Sequence, residues 1–250
     1  MGILYSRSIG VLYAKGDYIM NLDHDDFFFD DDVFDTAYKA SENGLIDIIS
    51  FMYVHSNNYY SDIYDFKDSG GIIRHNGKVY QPNLSVFIIF KDDEFCYHDY
   101  TIWAKAFKNS VYKKATNFLT PKRYKVFITY NEDLFGIFVL SNVAESYKFI
   151  RKYGVYHIFS PSTTSNTAMI ESRIFMDTFL SEVFLDLSKN KNKKYAATFF
   201  YKRSGISNEK NNKYAKKVLI KILNCKYIEE KFKTKLKEKY AILLNSKFSI

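Results

Sequence analysis

A short apolar segment at residues 18–22 runs directly into a dense group of acidic residues, and this junction constrains the fold of the chain. The segment has the length of a strand, and Asp23, Asp25 and Asp26 follow it without a spacer. Open α/β sheets bind their ligands at the edge where the carboxyl ends of the strands lie. The sequence therefore predicts that these carboxylates lie at a ligand-binding edge of a sheet.

The segments around this junction alternate between helical and strand patterns, with Gly and Asn-Gly pairs at several boundaries. Alternation of this kind through residues 1–150 is typical of an α/β layer fold. Helices are predicted at residues 4–14, 33–40, 100–107, 131–144 and from the loop at 161–166 to about 187, and strands at 18–22, 46–54, 72–74, 78–80, 85–90 and 125–130.

The acidic run has the chemistry of a magnesium or manganese site. Both ions prefer carboxylate oxygens and usually take one or two of them, with water and phosphate completing the shell. Three neighbouring carboxylates also repel one another, and a bound cation relieves that repulsion. The run alone is equally compatible with a solvated acidic turn.

The residues before the acidic run extend this pattern into a longer motif. It consists of Arg7-Ser8-Ile9-Gly10, then Ala14-Lys15-Gly16-Asp17-Tyr18-Ile19, then Leu22-Asp23-His24-Asp25-Asp26. The motif resembles the central signature of family 2 glycosyltransferases. In that family a helix with Arg-Asn-x-Gly precedes Ala-x-Gly-x-Tyr-Ile and a strand that ends in Leu-Asp-x-Asp-Asp. The chain departs from the pattern at Ser8, where the family usually has Asn.

The resemblance implies a partial GT-A-like, Rossmann-like α/β domain whose Asp-x-Asp motif begins at Asp23. By this analogy Asp25 binds Mn²⁺ or Mg²⁺ at the donor diphosphate, and Asp23 contacts the ribose or a metal-bound water. Asp26 and Arg7 are expected to assist donor binding.

A catalytic base is expected in Glu132-Asp133, because an acceptor hydroxyl must lose its proton as it attacks the sugar. The pair follows a predicted strand and resembles the family's Glu-Asp pair, which implies that Asp133 is the base and that Glu132 orients the acceptor. The alternative is that the two residues only cap the following helix.

Further candidates for diphosphate or acceptor contacts have weaker support. Lys105 belongs to a Trp-x-Lys segment that resembles one in many family members, and its Trp103 is expected in the core. Tyr156 and Ser162 occupy places where members often carry polar ligand contacts. The loop around Ser162 is equally suited to capping a helix.

The charge distribution predicts two domains. Residues 186–250 hold 18 of the 36 Lys and Arg but only 5 of the 28 Asp and Glu. We therefore expect a glycosyltransferase-like domain at 1–185 and a basic extension at 186–250, helical at 195–201 and 214–244. The extension suits an anionic membrane surface or packing against the domain. No nucleic-acid motif accompanies its lysines, so nucleic acid is not expected as a partner.

The predicted function is inverting transfer of a sugar from a nucleotide-diphosphate sugar to a saccharide, lipid or protein acceptor. The resemblance covers about residues 3–165, so the family's nucleotide-binding half is expected to be lacking. A catalytically inactive, transferase-derived binding protein is the alternative. The sequence has no membrane-spanning apolar segment and no secretory signal, which predicts a cytoplasmic protein, peripheral at a membrane if the extension binds one.

Overall fold

The structure is a computed structural model, and it describes most of the chain. The described residues are 3–56, 79–80, 90–91, 94–95, 101–119, 128, 130–158, 170–187, 193–203 and 209–246. The chain divides into two compact units, residues 1–89 with 96–166 and residues 90–95 with 167–250. The domain boundary that the charge distribution predicts at residue 185 stays a prediction.

The first unit contains a mixed sheet. The strands in chain order are β1 (Tyr18–Met20), β2 (Phe27–Phe28), β3 (Ile48–Ser56), β4 (Val79–Tyr80), β5 (Phe90–Lys91), β6 (Glu94–Phe95), β7 (Lys105–Lys108) and β8 (Tyr147–Ile158). The sheet order is β1-β7-β3-β8-β2, and β4 also pairs with β8. Strands β3 and β8 are parallel, and the other pairs in this sheet are antiparallel. The hairpin of β5 and β6 belongs to the second unit.

Helices account for most of the remaining described residues. They are α1 (Ile3–Tyr13), α2 (Val33–Ala40), α3 (Asn109–Leu119), α4 (Glu132–Val143), α5 (Ile170–Leu187), α6 (Lys193–Arg203), α7 (Glu209–Leu223), α8 (Glu230–Lys239) and α9 (Ala241–Asn245). In the first unit α1, α3 and α4 pack against one another, and in the second unit α5 packs against α6 and α7. No described helix is long and apolar enough to cross a membrane.

Helix α4 is the central helix of the first unit. Its residues 134–141 are all buried, as expected for a helix that is apolar around its whole circumference. Helices α1 and α3 both contact it. The first turn of α4 is therefore held in place by packing along the rest of the helix.

A separate apolar cluster joins Val33 and Ala37 of α2 to Ile49 and Phe51 of β3.

Several predicted elements are confirmed and one is wrong. Helices near residues 4–14, 33–40 and 131–144 and strands near 18–22 and 46–54 are present. The helix predicted at 100–107 is wrong, because residues 105–108 form β7, which pairs with both β1 and β3. Strand β8 was not predicted. The strands predicted at 72–74, 85–90 and 125–130 lie outside the described residues, apart from isolated positions.

Candidate active site

Arg7 of α1 joins the two acidic motifs of the sequence. Its Nη2 donates to Asp23 Oδ1, and its Nη1 donates to Asp133 Oδ1, 126 residues further along the chain. The Arg7 side chain is 11% exposed, the Asp133 side chain 17% and the Asp23 side chain 34%. The acidic run and the Glu132-Asp133 pair therefore meet around one largely buried guanidinium group.

The start of α4 directs Asp133 toward Arg7 rather than toward the end of its own helix. Asn131 at the N-cap has a left-handed backbone (φ 58°) and makes no side-chain capping bond. Asp133 instead accepts a hydrogen bond from Arg7. A Cβ at Gly136 would lie 2.9 Å from Ile102 Cδ1. The glycine thus allows Ile102 to approach α4 closely, one turn after Asp133.

Ser8, the position where the chain departs from the family pattern, lies on the buried side of α1. Its side chain is fully enclosed, and its Oγ donates to Leu4 O at 2.8 Å. The hydroxyl group is thereby satisfied within the helix. The departure at Ser8 leaves the position of Arg7, one residue earlier, unaffected.

Burial and charge shift the pKa values of three residues of the cluster, Asp133, Glu132 and Arg7. Burial raises the pKa of Asp133, while the Arg7 guanidinium opposes this increase. Burial, with added repulsion from Asp133, raises the pKa of Glu132 to about 7. Burial acts to lower the pKa of Arg7, but the charges of Asp133 and Asp23 outweigh it and the pKa is raised. Arg7 therefore remains charged and stabilises the ionised form of Asp133.

Asp26 connects the acidic turn to the end of β8. It is 5% exposed, and its Oδ1 accepts a hydrogen bond from the Ile158 N–H at 3.0 Å. Its Oδ2 is buried and has no hydrogen-bond partner among the described residues. Burial raises the pKa of Asp26 to about 7, against the effect of the Ile158 N–H, and repulsion from Asp23 and Asp25 adds to the increase. Asp26 thus holds the turn in place from its buried side.

Asp23 and Asp25 are the carboxylates of the turn that solvent reaches. The Asp25 side chain is 24% exposed, and its Oδ1 lies 4.0 Å from Nδ1 of His24, which is 97% exposed. Within the described ranges no group of three or more His, Cys, Asp and Glu residues could hold a metal ion. Asp23 and Asp25 are thus two partly exposed carboxylates on one turn, and one or two carboxylates is the number that Mg²⁺ usually takes from a protein.

An aromatic wall lies beside the acidic turn. The His157 ring on β8 stacks on Trp103 with centroids 4.6 Å apart, and Tyr53 contacts Trp103 edge-on. Burial lowers the pKa of His157, and the charges of Asp23 and Asp25 oppose this decrease. The expected core position of Trp103 is confirmed, since it is 5% exposed. The sequence analysis missed His157, and recognition of β8 as a strand would have indicated it.

The remaining candidate contacts are placed differently. Lys105 is 1% exposed, and its Nζ donates to Thr101 O at 2.6 Å and to Thr101 Oγ1 at 3.1 Å. Its predicted phosphate contact therefore has no support from this geometry and stays a prediction. Tyr156 lies on β8 opposite Phe27 of β2. Ser162 lies outside the described residues.

Comparison with known proteins gives matches in structure but not in sequence. No protein-family model and no curated protein sequence matches the chain. The crystal structure of S. aureus TarS residues 1–349 with UDP-GlcNAc matches with a TM-score of 0.58 at 11% identity, over 96% of this chain and 65% of that chain. The same TarS fragment with UDP matches with a TM-score of 0.54 at 12% identity, over 94% and 65%.

The chain has a glycosyltransferase-like fold. A longer TarS structure also matches, with a TM-score of 0.58 at 13% identity over 94% of this chain and 39% of that chain. The chain thus spans less than two thirds of the length of these TarS chains. At such low identities the likeness concerns the fold alone.

Proposed function

We propose that the chain is a family 2 glycosyltransferase that transfers a sugar, with inversion, from a nucleotide-diphosphate sugar to an acceptor hydroxyl. The observation that carries this proposal is the pair of bonds from Arg7 to Asp23 and Asp133. It brings the two acidic motifs to one place, as a donor site next to a base requires. The TarS matches support a donor of this class, because those structures are described as complexes with UDP-GlcNAc and UDP.

In this proposal Asp25 and Asp23 hold Mn²⁺ or Mg²⁺ together with the donor diphosphate. Both side chains are partly exposed at the end of β1. Such an ion supplies positive charge that stabilises the departing nucleoside diphosphate. Asp26, bonded to the Ile158 N–H, keeps the turn that carries both carboxylates in place.

Asp133 is the proposed base that takes the proton of the acceptor hydroxyl. Its carboxylate is held by Arg7, so its orientation is set before an acceptor arrives. Burial raises its pKa, which makes it a stronger proton acceptor, while Arg7 preserves the ionised form. Glu132 precedes it in the first turn of α4 and is the proposed acceptor-orienting residue.

Arg7 has a positioning role in this scheme. Its guanidinium group bonds to a metal-binding carboxylate and to the base at the same time. A planar donor fork of this kind fixes the angle between its two partners better than a lysine ammonium does. The direct contact with the donor that the sequence predicts for Arg7 remains part of the proposal.

Turnover measurements test these assignments. We expect the purified chain with Mn²⁺ to bind and use a member of a panel of UDP- and GDP-sugars. Asp25→Asn and Asp133→Asn should each reduce turnover at least about 100-fold, since general bases typically contribute about 10² to 10⁴ in rate. Asp31→Asn is a matched control, because Asp31 is an exposed acid of the same region. Unchanged turnover in Asp133→Asn would reject its role as base.

A second candidate is a catalytically inactive binding protein with the same fold. One observation favours it. Arg7 already forms ion pairs with both Asp23 and Asp133, the residues proposed for metal binding and for the base. This candidate predicts that calorimetry detects nucleotide binding while no panel member is turned over. Release of UDP or GDP at a rate that depends on Asp133 would exclude it.

A further inference from the structure

A cavity of about 710 Å³ lies at the start of β1, whereas the acidic site follows the end of that strand. The loop before β1, the end of α2 and the junction of β7 with α3 form its walls. All these segments belong to the first unit. A volume of this size is within the range of about 300–1,000 Å³ that is usual for small-molecule sites. The cavity has no part in the proposed transfer reaction.

Basic side chains predominate among its charged lining residues. Lys15, Lys108 and Lys113 line the cavity together with a single acidic residue, Asp17. Lys113 Nζ donates to Ala14 O at 2.9 Å, a contact that positions the ammonium group without cancelling its charge. The positive charge in the wall is therefore larger than the negative charge, which favours an anionic ligand.

Lys108 is the most constrained of the three lysines. Its Nζ donates to Gly44 O at 2.6 Å and lies 3.9 Å from Asp47 Oδ1. The bond connects the turn after α2 with the end of β7, and the Asp47 carboxylate offsets part of the charge. Lys15 and Lys113 are therefore the two cations that we assign to the ligand.

The first turn of α3 adds a second attraction for negative charge. Asn109 and Ser110 begin this 11-residue helix and line the cavity. Asn109 Nδ2 donates to Ala14 O at 3.2 Å and to Gly16 O at 2.5 Å, which holds the loop with Lys15 against the helix start. The positive end of a helix dipole then lies beside the lysines, an arrangement that suits phosphate.

An aromatic ring completes the cavity. Tyr38 of α2 lines it and is 69% exposed, so one face of its ring is open to a ligand. Phosphate alone would occupy a small part of the volume. A sugar or another ring attached to the phosphate could pack against Tyr38, as apolar ring faces commonly do on aromatic side chains.

We propose that this cavity binds a phosphorylated small molecule. The phosphate contacts Lys15, Lys113 and the first turn of α3, and the rest of the molecule packs against Tyr38. The proposal does not depend on the proposed glycosyl transfer. Sugar phosphates and free phosphate both carry the group that the lysines would bind, and the experiment below distinguishes between them.

Amide chemical-shift mapping by NMR tests the site on the whole chain, with glucose 6-phosphate, inorganic phosphate and glucose as probes. Glucose 6-phosphate should give saturable shifts at Gly16, Gly44 and Ser110. Inorganic phosphate should shift the same amides with weaker affinity. Glucose should shift none of them at concentrations up to about 10 mM, at which a ligand with a Kd of about 1 mM would be largely bound. If glucose 6-phosphate and inorganic phosphate bound with equal affinity, the ligand would be free phosphate, and the proposed packing of a ring on Tyr38 would be rejected. Absence of shifts at these amides would overturn the proposal.

Substitutions separate this site from the surface and from the donor site. Lys15→Gln with Lys113→Gln should weaken glucose 6-phosphate binding by at least about tenfold, because the loss of even one charged hydrogen bond has about that effect. Lys114→Gln is the matched control, because Lys114 is exposed on the same helix outside the cavity. Asp25→Asn should leave the shifts at these amides unchanged. An equal loss of glucose 6-phosphate affinity in Lys114→Gln would overturn the proposal. If the double variant does not fold, the presence or absence of saturable shifts at the three amides of the wild-type chain decides the proposal.

Discussion

Replacement of Arg7 with methionine should leave two carboxylates without the cation that joins them. Methionine keeps a similar length of apolar stem and removes the charge and the donors. Asp133 would then be largely buried without the Arg7 cation and next to Glu132, whose charge repels it. A buried charge that loses its partner is strongly destabilising because water cannot replace the lost interaction.

The structure allows the size of this effect to be worked out. A hydrogen bond to a charged group contributes about 1.5–3 kcal/mol. The Asp133 side chain is 17% exposed, so we assign its bond about 2 kcal/mol. The Asp23 side chain is 34% exposed and water can compensate more of its loss, so we assign that bond about 1 kcal/mol. The total of about 3 kcal/mol agrees with the lower end of measured losses for broken buried pairs.

Urea denaturation of wild type and Arg7→Met at about pH 7.5 measures this loss, and the double variant Arg7→Met/Asp133→Asn tests its cause. The double variant should recover about 2 kcal/mol, because an uncharged amide needs no cation. The loss should also shrink as the pH falls, since burial raises the pKa of Asp133 and its carboxylate therefore takes up a proton at a higher pH than an ordinary aspartate. A loss below about 0.5 kcal/mol at pH 7.5, or no recovery in the double variant, would refute the reasoning.

Three further predictions concern packing and ionisation. Gly154→Ala should destabilise the chain by about 1–3 kcal/mol in urea denaturation, because the added Cβ would lie 2.7 Å from Phe51 Cβ. Gly10→Ala in α1 should stabilise the chain by about 0.5–1 kcal/mol, because an added Cβ there meets nothing within 4 Å. A Gly10→Ala variant that is less stable than Gly154→Ala would contradict this account. Glu182→Gln should cost about 1–2 kcal/mol near neutral pH, because Lys221 Nζ and the Tyr214 hydroxyl donate to this carboxylate. Burial acts to raise the pKa of Glu182, but these donors outweigh burial, and the pKa lies below the ordinary value of 4.5. The contribution of the Glu182 carboxylate to the free energy of unfolding is therefore fully present above about pH 4.5 and is lost as the pH falls through the lowered pKa. A difference between wild type and Glu182→Gln that persists at about pH 2 would contradict this assignment. Turnover should fall on the acid side of the pH–rate profile at a pH above the ordinary aspartate pKa of 3.8, because burial raises the pKa of Asp133 and a base acts only when ionised. A profile that is flat down to about pH 3.8 would exclude Asp133 as that base.

The local elements of the fold were predictable because their signals are local. Helices α1, α2 and α4 and strand β3 follow from apolar spacing and from the Gly and Asn-Gly boundaries. The position of the acidic run after β1 also follows from adjacency in the sequence. By contrast, β7 was mistaken for a helix because residues 101–107 are all buried. A fully buried strand lacks the alternation that distinguishes strands from helices.

The carboxylate of Asp32 illustrates how tertiary contacts override a local expectation. Asp32 directly precedes α2, where a carboxylate often caps a helix, but its side chain makes no capping bond and pairs with Lys152 of β8 instead. Strand β8 itself was not recognised, so this partner could not have been named. Because β8 was not recognised, neither the stacking of His157 on Trp103 nor the hydrogen bond from the Ile158 N–H to Asp26 was predicted.

The sequence by itself determined which carboxylates are grouped and where they stand relative to their own strand or helix. Asp23, Asp25 and Asp26 are neighbours in any fold that makes residues 18–20 a strand, and Glu132 and Asp133 are neighbours in the first turn of α4. Only the tertiary structure decided that the two groups meet, that Arg7 lies between them, and that burial raises the pKa of Asp133. These properties depend on the packing of α1 against α4 and on strand pairing between distant segments, and no local pattern in the sequence encodes either distance.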